Sequence, residues 1–175
     1  MKIFLVRHGE TTGDLEDRYG GNYDDHLTEH GKEQLRETAL KLFGKGVQVI
    51  FTSKLIRAKE SAGIIQAEVK CPVEVVDGIQ ERSYGVLAGL TKTEALEKYP
   101  EVVEAHKNPE NTDPEGESLV EFQNRTLEAF KGIFSQNYST VVIVSHGGPL
   151  KRLLKYLQMP IPEKIGDGEI IEVSI

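Results

Sequence analysis

The sequence predicts an α/β fold of three layers. It has a mostly parallel central sheet, helices on both faces, and a small helical or loop cap over the C-terminal ends of the strands. Three observations lead there. The near-continuous apolar runs Ile3-Phe4-Leu5-Val6, Val47 to Phe51 and Val141-Val142-Ile143-Val144 read as strands buried on both faces, not as half-exposed alternating ones. Segments of helical spacing follow these runs, which is βαβ order. One stretch, residues 77 to 116, interrupts that rhythm with polar and proline-containing sequence and is expected to lie over the strand ends.

Lys2 to Val6 is the first predicted strand. Thr28 followed by Glu29, with Leu35, Ala39, Leu42 and Phe43, predicts a capped amphipathic helix ending near Gly44 or Gly46. The run ending at Phe51 leads through Thr52-Ser53 into a helix from Lys54 to about Val69, with Arg57 in or near its first turn. Pro72 opens a strand over Val73 to Val76. The cap segment holds a short helix near Thr93 to Tyr99, then Pro100 and the polar run Asn108 to Gly116. Ser118 to Phe134 carries Leu119, Phe122, Leu127, Phe130 and Phe134 at helical spacing. The Val141 strand ends in Ser145-His146-Gly147-Gly148, ahead of a helix-like stretch from Leu150 to Leu157. Ile170, Ile171 and Val173, after the turn Gly166-Asp167-Gly168, predict an edge strand.

A chain of 175 residues reads as one domain spanning 1–175, long enough to bury roughly 70% of the surface its unfolded form exposes. The net charge of −7 and pI near 5.3 argue against a nucleic-acid partner. They favour a small molecule, which a local arginine cluster can hold even when it is anionic. Cys71 is the only cysteine, so no intrachain disulfide is possible. The N-terminal apolar run is too short for a signal peptide or a membrane span, and the expected location is the cytoplasm. A homodimer is left open.

The chemistry gathers at strand ends. Arg7-His8 closes the first apolar run, His146 the Val141 run, and Arg57 follows the second. Open α/β sheets bind ligands along that rim, so two imidazoles and at least two guanidiniums can converge on one pocket. Strand alternation sends Arg7 and His8 to opposite faces, so both reach one ligand only if the backbone turns there, which Gly9 permits. A rival motif, His26-Leu27-Thr28-Glu29-His30, matches the HxxEH pattern of some zinc proteases. It requires one continuous helix through both histidines, whereas Thr28 reads as a helix cap and Gly31 follows at once. No metal site is expected.

Four blocks, LVRHGET, FTSKLIRAKESAGII, Ile79-Gln80-Glu81-Arg82 and VVIVSHGGPLKRLL, together resemble the histidine phosphatase superfamily, also called phosphoglycerate mutase-like, over nearly the whole chain. The resemblance implies that His8 attacks phosphorus to form a phosphohistidine. Arg7, Arg57 and His146 would hold the phosphoryl oxygens, with Gly147 letting backbone approach the anion. Glu81 would donate a proton and later act as base. It implies neither a metal nor a cofactor. Fixed cations suit a transfer that spreads negative charge over equatorial oxygens, and nearby guanidiniums disfavour imidazolium, keeping His8 nucleophilic.

Arg18 resembles a further phosphate-contacting arginine, or is an exposed loop charge. ERSYGVLAGLTK, Glu81 to Lys92, resembles the mutase stretch in which Arg82, Tyr84 and Lys92 would bind substrate. A packed aromatic at Tyr84 and a solvated helix-start charge at Lys92 are the structural alternatives. Two departures stand out: Asp14 occupies the place of a usual Asn, and Tyr19-Gly20-Gly21 replaces a usual Gln-Gly. Residues 102 to 117 offer only His106 and Lys107 among many acids, so the expected activity is a phosphomonoesterase acting on a small phosphorylated metabolite. The alternative is a cofactor-dependent phosphoglycerate mutase, for which 2,3-bisphosphoglycerate would be needed. An inactive phosphate-binding scaffold is less favoured, because no central residue is lost.

Overall fold

The structure, a computed structural model, describes residues 1–175. In chain order it contains β1 (Lys2–Arg7), α1 (Thr12–Leu15), α2 (Glu29–Leu42), β2 (Val49–Thr52), α3 (Ile56–Val69) and β3 (Val73–Val75). The cap helices α4 (Lys92–Lys98) and α5 (Pro100–His106) follow, and then α6 (Leu119–Phe134), β4 (Thr140–Ser145), α7 (Gly147–Tyr156) and β5 (Ile170–Ser174). The sheet order is β3-β2-β4-β1-β5. The first four strands are parallel and β5 pairs antiparallel with β1. This is the three-layer, mostly parallel α/β architecture that the apolar runs predict.

Side-chain alternation along the strands divides the core in two. Ile3, Leu5, Val49, Phe51, Val141 and Ile143 point to one face and pack on Phe130 and Ile133 of α6 and Leu150, Leu153 and Leu154 of α7. Phe4, Val6, Ile50, Val142 and Val144 point to the other, against Leu35, Ala39 and Leu42 of α2 and Ala58, Ala62 and Ile65 of α3. Phe51 and Phe130 are fully buried, and truncating either to Ala would cost about 3–5 kcal/mol. No helix is long and apolar enough to cross a membrane.

This layering positions the site. The helix following β4 leaves toward one face, whereas α2, the first long helix after β1, covers the other. Because β1 and β4 are neighbours, their C-terminal ends flank a crevice at a topological switch point, where open α/β sheets bind ligands.

Three local details differ from expectation. Helix α7 begins at Gly147, ahead of Leu150, because Pro149 falls in its first turn, where a missing N–H removes no intrahelical bond. Pro100 likewise starts α5 instead of ending a helix. The one-turn α1 was not anticipated; Thr11 and Asp14 form its capping box. Over the strand ends, Leu87, Ala95 and Tyr19 make a small third core. Two arginines clasp the cap backbone. Arg82 donates to the carbonyls of Pro109, Asn111 and Glu117, and Arg125 of α6 donates to those of Gly78, Gln80 and Glu81.

Candidate active site

Strand register brings the two histidines together. Arg7 pairs with Ser145 across β1 and β4, and the His8 N–H donates to the Ser145 carbonyl at 3.1 Å. His8 and His146 therefore emerge side by side, with ring centroids 5.1 Å apart and both rings buried. Gly9 does not adopt a left-handed φ. It is required for packing instead: a Cβ there would lie 2.5 Å from the Gly31 carbonyl oxygen, at the start of α2.

The His8 ring has a defined tautomer. Its Nδ1 lies 2.8 Å from the Gly9 carbonyl oxygen, which can only accept, so Nδ1 carries the proton. That leaves the Nε2 lone pair, toward which the Arg57 Nε–H donates at 3.3 Å. Burial, then the charges of Arg57 and Arg7, hold the His8 pKa well below its ordinary value. A neutral, singly oriented imidazole is the form a nucleophile needs. His146 is also held low, by burial first and then by Arg57 and His8. Its Nε2 lies 2.9 Å from Ser53 Oγ, beyond the end of β2, and its buried Nδ1 has no partner.

Arg57, in the first turn of α3, is anchored on three sides. Its guanidinium donates to the carbonyls of Tyr23 and Gly21 and pairs with Asp25 at 2.8 Å, with both side chains only 4% exposed. Arg7 donates to the Ile165 carbonyl at 2.7 Å and approaches Asp167 at 3.1 Å, while its buried Nε is unpartnered. Unsatisfied buried donors are uncommon in folded proteins. Here Arg7 Nε is such a donor at the strand rim, and His146 Nδ1 is another when Nε2 accepts from the Ser53 hydroxyl; an anion would satisfy a donor there.

Glu81 faces these cations from the cap. Its carboxylate accepts from the Arg82 N–H at 3.0 Å and from the Gly148 N–H, in the first turn of α7, at 2.9 Å. A Cβ at 148 would lie 2.1 Å from Glu81 Oε1, so any side chain there displaces that carboxylate from its place. Arg125 holds the Glu81 carbonyl at 3.0 Å from behind.

Between these groups lies a cavity of about 400 Å³, lined by 17 residues of which only two are hydrophobic. Arg7, His8, Arg57, Glu81, Tyr84, Arg18 and Gly147 all line it, whereas His146 lies beneath its wall, against the His8 ring. Burial and then Glu81 push the Tyr84 phenol up, so it stays protonated. Arg18 reaches the rim while bonded to the Gly89 carbonyl and Glu16. Arg82 and Lys92 are not brought to the cavity. The Arg82 fork is spent on cap carbonyls, and Lys92 Nζ stands 3.2 Å from the Tyr19 ring centroid, a cation–π contact.

Asp14 lines the cavity but turns its carboxylate to Thr11, whose N–H and hydroxyl donate to it at 2.9 and 2.8 Å. The carboxylate that stands where an Asn is usual is thus directed to the cap of α1. Thr28 caps α2, so His26 precedes the helix and bonds Glu60, while His30 lies on it. The two do not share a helix.

Sequence reasoning missed Lys151, Lys164 and Asp25 on the cavity wall and Arg125 behind it. Lys151 had a signal, standing one helical turn after Gly147. Asp25 and Lys164 had none, because loop residues acquire a destination only on folding, and Arg125 on α6 read as one more charge of a helix face.

The family model for the histidine phosphatase superfamily (branch 1) matches residues 3–170. A metal-independent phosphoserine phosphatase of Arabidopsis thaliana is 34% identical over 99% of this chain and 74% of its own length. A 2,3-bisphosphoglycerate-dependent phosphoglycerate mutase of Gloeobacter violaceus is 32% identical over 96% of this chain and 80% of its own. Among solved structures, YhfR of Bacillus stearothermophilus superposes with a TM-score of 0.89 at 27% identity, covering 99% of this chain and 91% of that one. Together with the paired imidazoles at the switch point, these matches place the chain in the histidine phosphatase superfamily.

Proposed function

We propose that the chain is a phosphomonoesterase that works through a phosphohistidine on a small phosphorylated metabolite. The observation that carries this is the His8 ring: Nδ1–H is fixed on a carbonyl, and Nε2 carries the lone pair, against the Arg57 Nε–H and in a cavity shared with Arg7 and Glu81.

In the first step Nε2 attacks phosphorus in line, and the bond from phosphorus to the ester oxygen breaks. Glu81 acts as the general acid and passes a proton to the departing alkoxide. Arg7, Arg57, His146 and the first turn of α7 take up the charge on the equatorial oxygens. The Arg57 Nε–H, which points at His8 Nε2 before attack, is released to a phosphoryl oxygen as that lone pair is consumed. In the second step Glu81, now a carboxylate, takes a proton from water as the water attacks phosphorus. The P–N bond breaks, and phosphate leaves. Side chains meet the charge throughout, so this reading assigns no metal and no organic cofactor. Replacing Glu81 with Gln is expected to slow poor leaving groups far more than good ones, read as a steeper dependence of kcat/KM on leaving-group pKa.

Phosphatase is favoured over mutase by the destination of the cap cations. Arg82, Lys92 and His106 are engaged by carbonyls, by Tyr19 and by Asp113 at 2.7 Å, respectively. Among the cavity-lining residues the cap contributes only Glu81 and Tyr84. The mutase reading rests on relatives of that activity and on the Glu81 to Lys92 stretch. Incubation in chelator with 3-phosphoglycerate, with and without 2,3-bisphosphoglycerate, separates the two. Released phosphate supports the phosphatase, and 2-phosphoglycerate formed only with the bisphosphate overturns it.

A further inference from the structure

We propose that Lys151 and Lys164 form a subsite for a second anionic group of the substrate. Phosphomonoesters bearing a carboxylate or a further phosphate would then be preferred over those with a neutral remainder. The proposal rests on the phosphomonoester reading of the His8 site.

The segment 163–165 is strapped to the active site at both ends. Arg7 Nη1 donates to the Ile165 carbonyl at 2.7 Å, and Lys151 Nζ donates to the Glu163 carbonyl. Ile165 is buried, which fixes the strap against the core. Lys164, the residue between, lines the cavity and makes no hydrogen bond or ion pair. Lys151 uses one of the three N–H donors of its ammonium. Two lysines therefore line the cavity that holds the phosphoryl cradle, Lys164 next in sequence to the residue whose carbonyl holds Arg7 and Lys151 on α7.

Nearby acids answer them only in part: neither lysine is in an ion pair with a carboxylate, although Asp167 feels the charge of Lys164. Asp167 approaches Arg7, Asp14 accepts from Thr11, and Glu169 accepts from the Gly166 N–H. In a chain of net charge −7, abundant acids could have neutralised these lysines. Two like charges left facing one cavity raise the local potential for an anion. A lysine is a point charge without a fork, so the subsite accepts carboxylate or phosphate alike.

The test measures binding without turnover, by calorimetry on His8→Ala protein. The probes are glycerol 3-phosphate, 3-phosphoglycerate and 2,3-bisphosphoglycerate. At least one of the two probes that carry a second anionic group is expected to bind about tenfold more tightly than glycerol 3-phosphate. Lys151→Ala and Lys164→Ala should each shrink that ratio about three- to fivefold, Lys164→Arg should keep it, and raised salt should reduce it. Tightening by 3-phosphoglycerate identifies a carboxylate as sufficient, and tightening by the bisphosphate alone identifies a second phosphate. A ratio near one, a ratio unmoved by either lysine variant, or no binding of any probe overturns the proposal. Phosphate release by the protein with His8 intact tests the phosphomonoesterase reading separately, and the binding preference can stand or fall whatever that assay returns.

Discussion

The two halves of the cavity are built in different ways. On one side Arg7, His8, His146 and the first turn of α7 are placed by strand pairing and by a core whose members are almost entirely buried. On the other, Glu81 and Tyr84 sit on a cap with a three-residue core, whose backbone is held by arginine forks on carbonyl oxygens. Sheet register fixes atoms to within a few tenths of an ångström and resists substitution, while a loop clasped by side chains can be re-aimed by changing one arginine. In the proposed reaction the transferring group would meet the rigid half and the leaving group the adjustable one.

That contrast breaks first at the nucleophile. His8→Ala should lower phosphatase kcat by about 10⁴-fold or more with the fold intact, measured by phosphate release beside an unchanged circular dichroism spectrum; retained turnover would sink the phosphohistidine route. The seam between the halves is Gly148. Gly148→Ala should push Glu81 off its N–H and cost roughly 10²-fold in kcat, since a 1 Å misplacement carries about that penalty, with phosphate affinity nearly preserved. Loosening only the cap tests the other half. Arg82→Ala removes bonds to three carbonyls and should destabilise by about 1–3 kcal/mol, with faster amide exchange across residues 109–117 and a rise in KM exceeding any fall in kcat. Equal losses in both constants would mean that the cap is as tightly coupled to the chemistry as the sheet.

The last effect is a pH dependence of stability and belongs to the rigid half. His8 and His146 are both held below the ordinary imidazole value by burial and by Arg57. Well above pH about 6.5 neither the folded nor the unfolded imidazoles carry charge, and they add no slope. Below it the unfolded chain takes up protons that the folded chain refuses, so stability falls with falling pH, by at most about 2.7 kcal/mol per pH unit for the two rings. Urea unfolding between pH 5 and 6.5 should show this slope flattened in a His8→Asn/His146→Asn double variant. An identical slope in both proteins would show that the imidazoles are not held neutral.

Legibility in the sequence follows the same division. Arg7, His8 and His146 were readable because each ends a continuous apolar run, and a run buried on both faces has one rim where charge can emerge. Arg57 was readable from its place in the turn after the second run. Glu81 was carried by its motif alone, for nothing in local spacing ties residue 81 to the start of α7. Arg82 and Lys92 belonged to the same motif but went to carbonyls and to Tyr19. Their destinations were set by which acceptors the cap brought within reach.

What the sequence determined by itself is the layered sheet, its parallel order and the identity of the groups at its rim, because hydrophobic periodicity and strand ends are local properties of the chain. Only the tertiary structure decided which imidazole nitrogen carries the proton, that Asp14 turns to cap α1, that Asp25 and Arg125 brace the site, and that Lys151 and Lys164 face the cavity. Each of these depends on distances between residues remote along the chain, which exist only once β1 and β4 are in register and the cap has closed on α6 and α7.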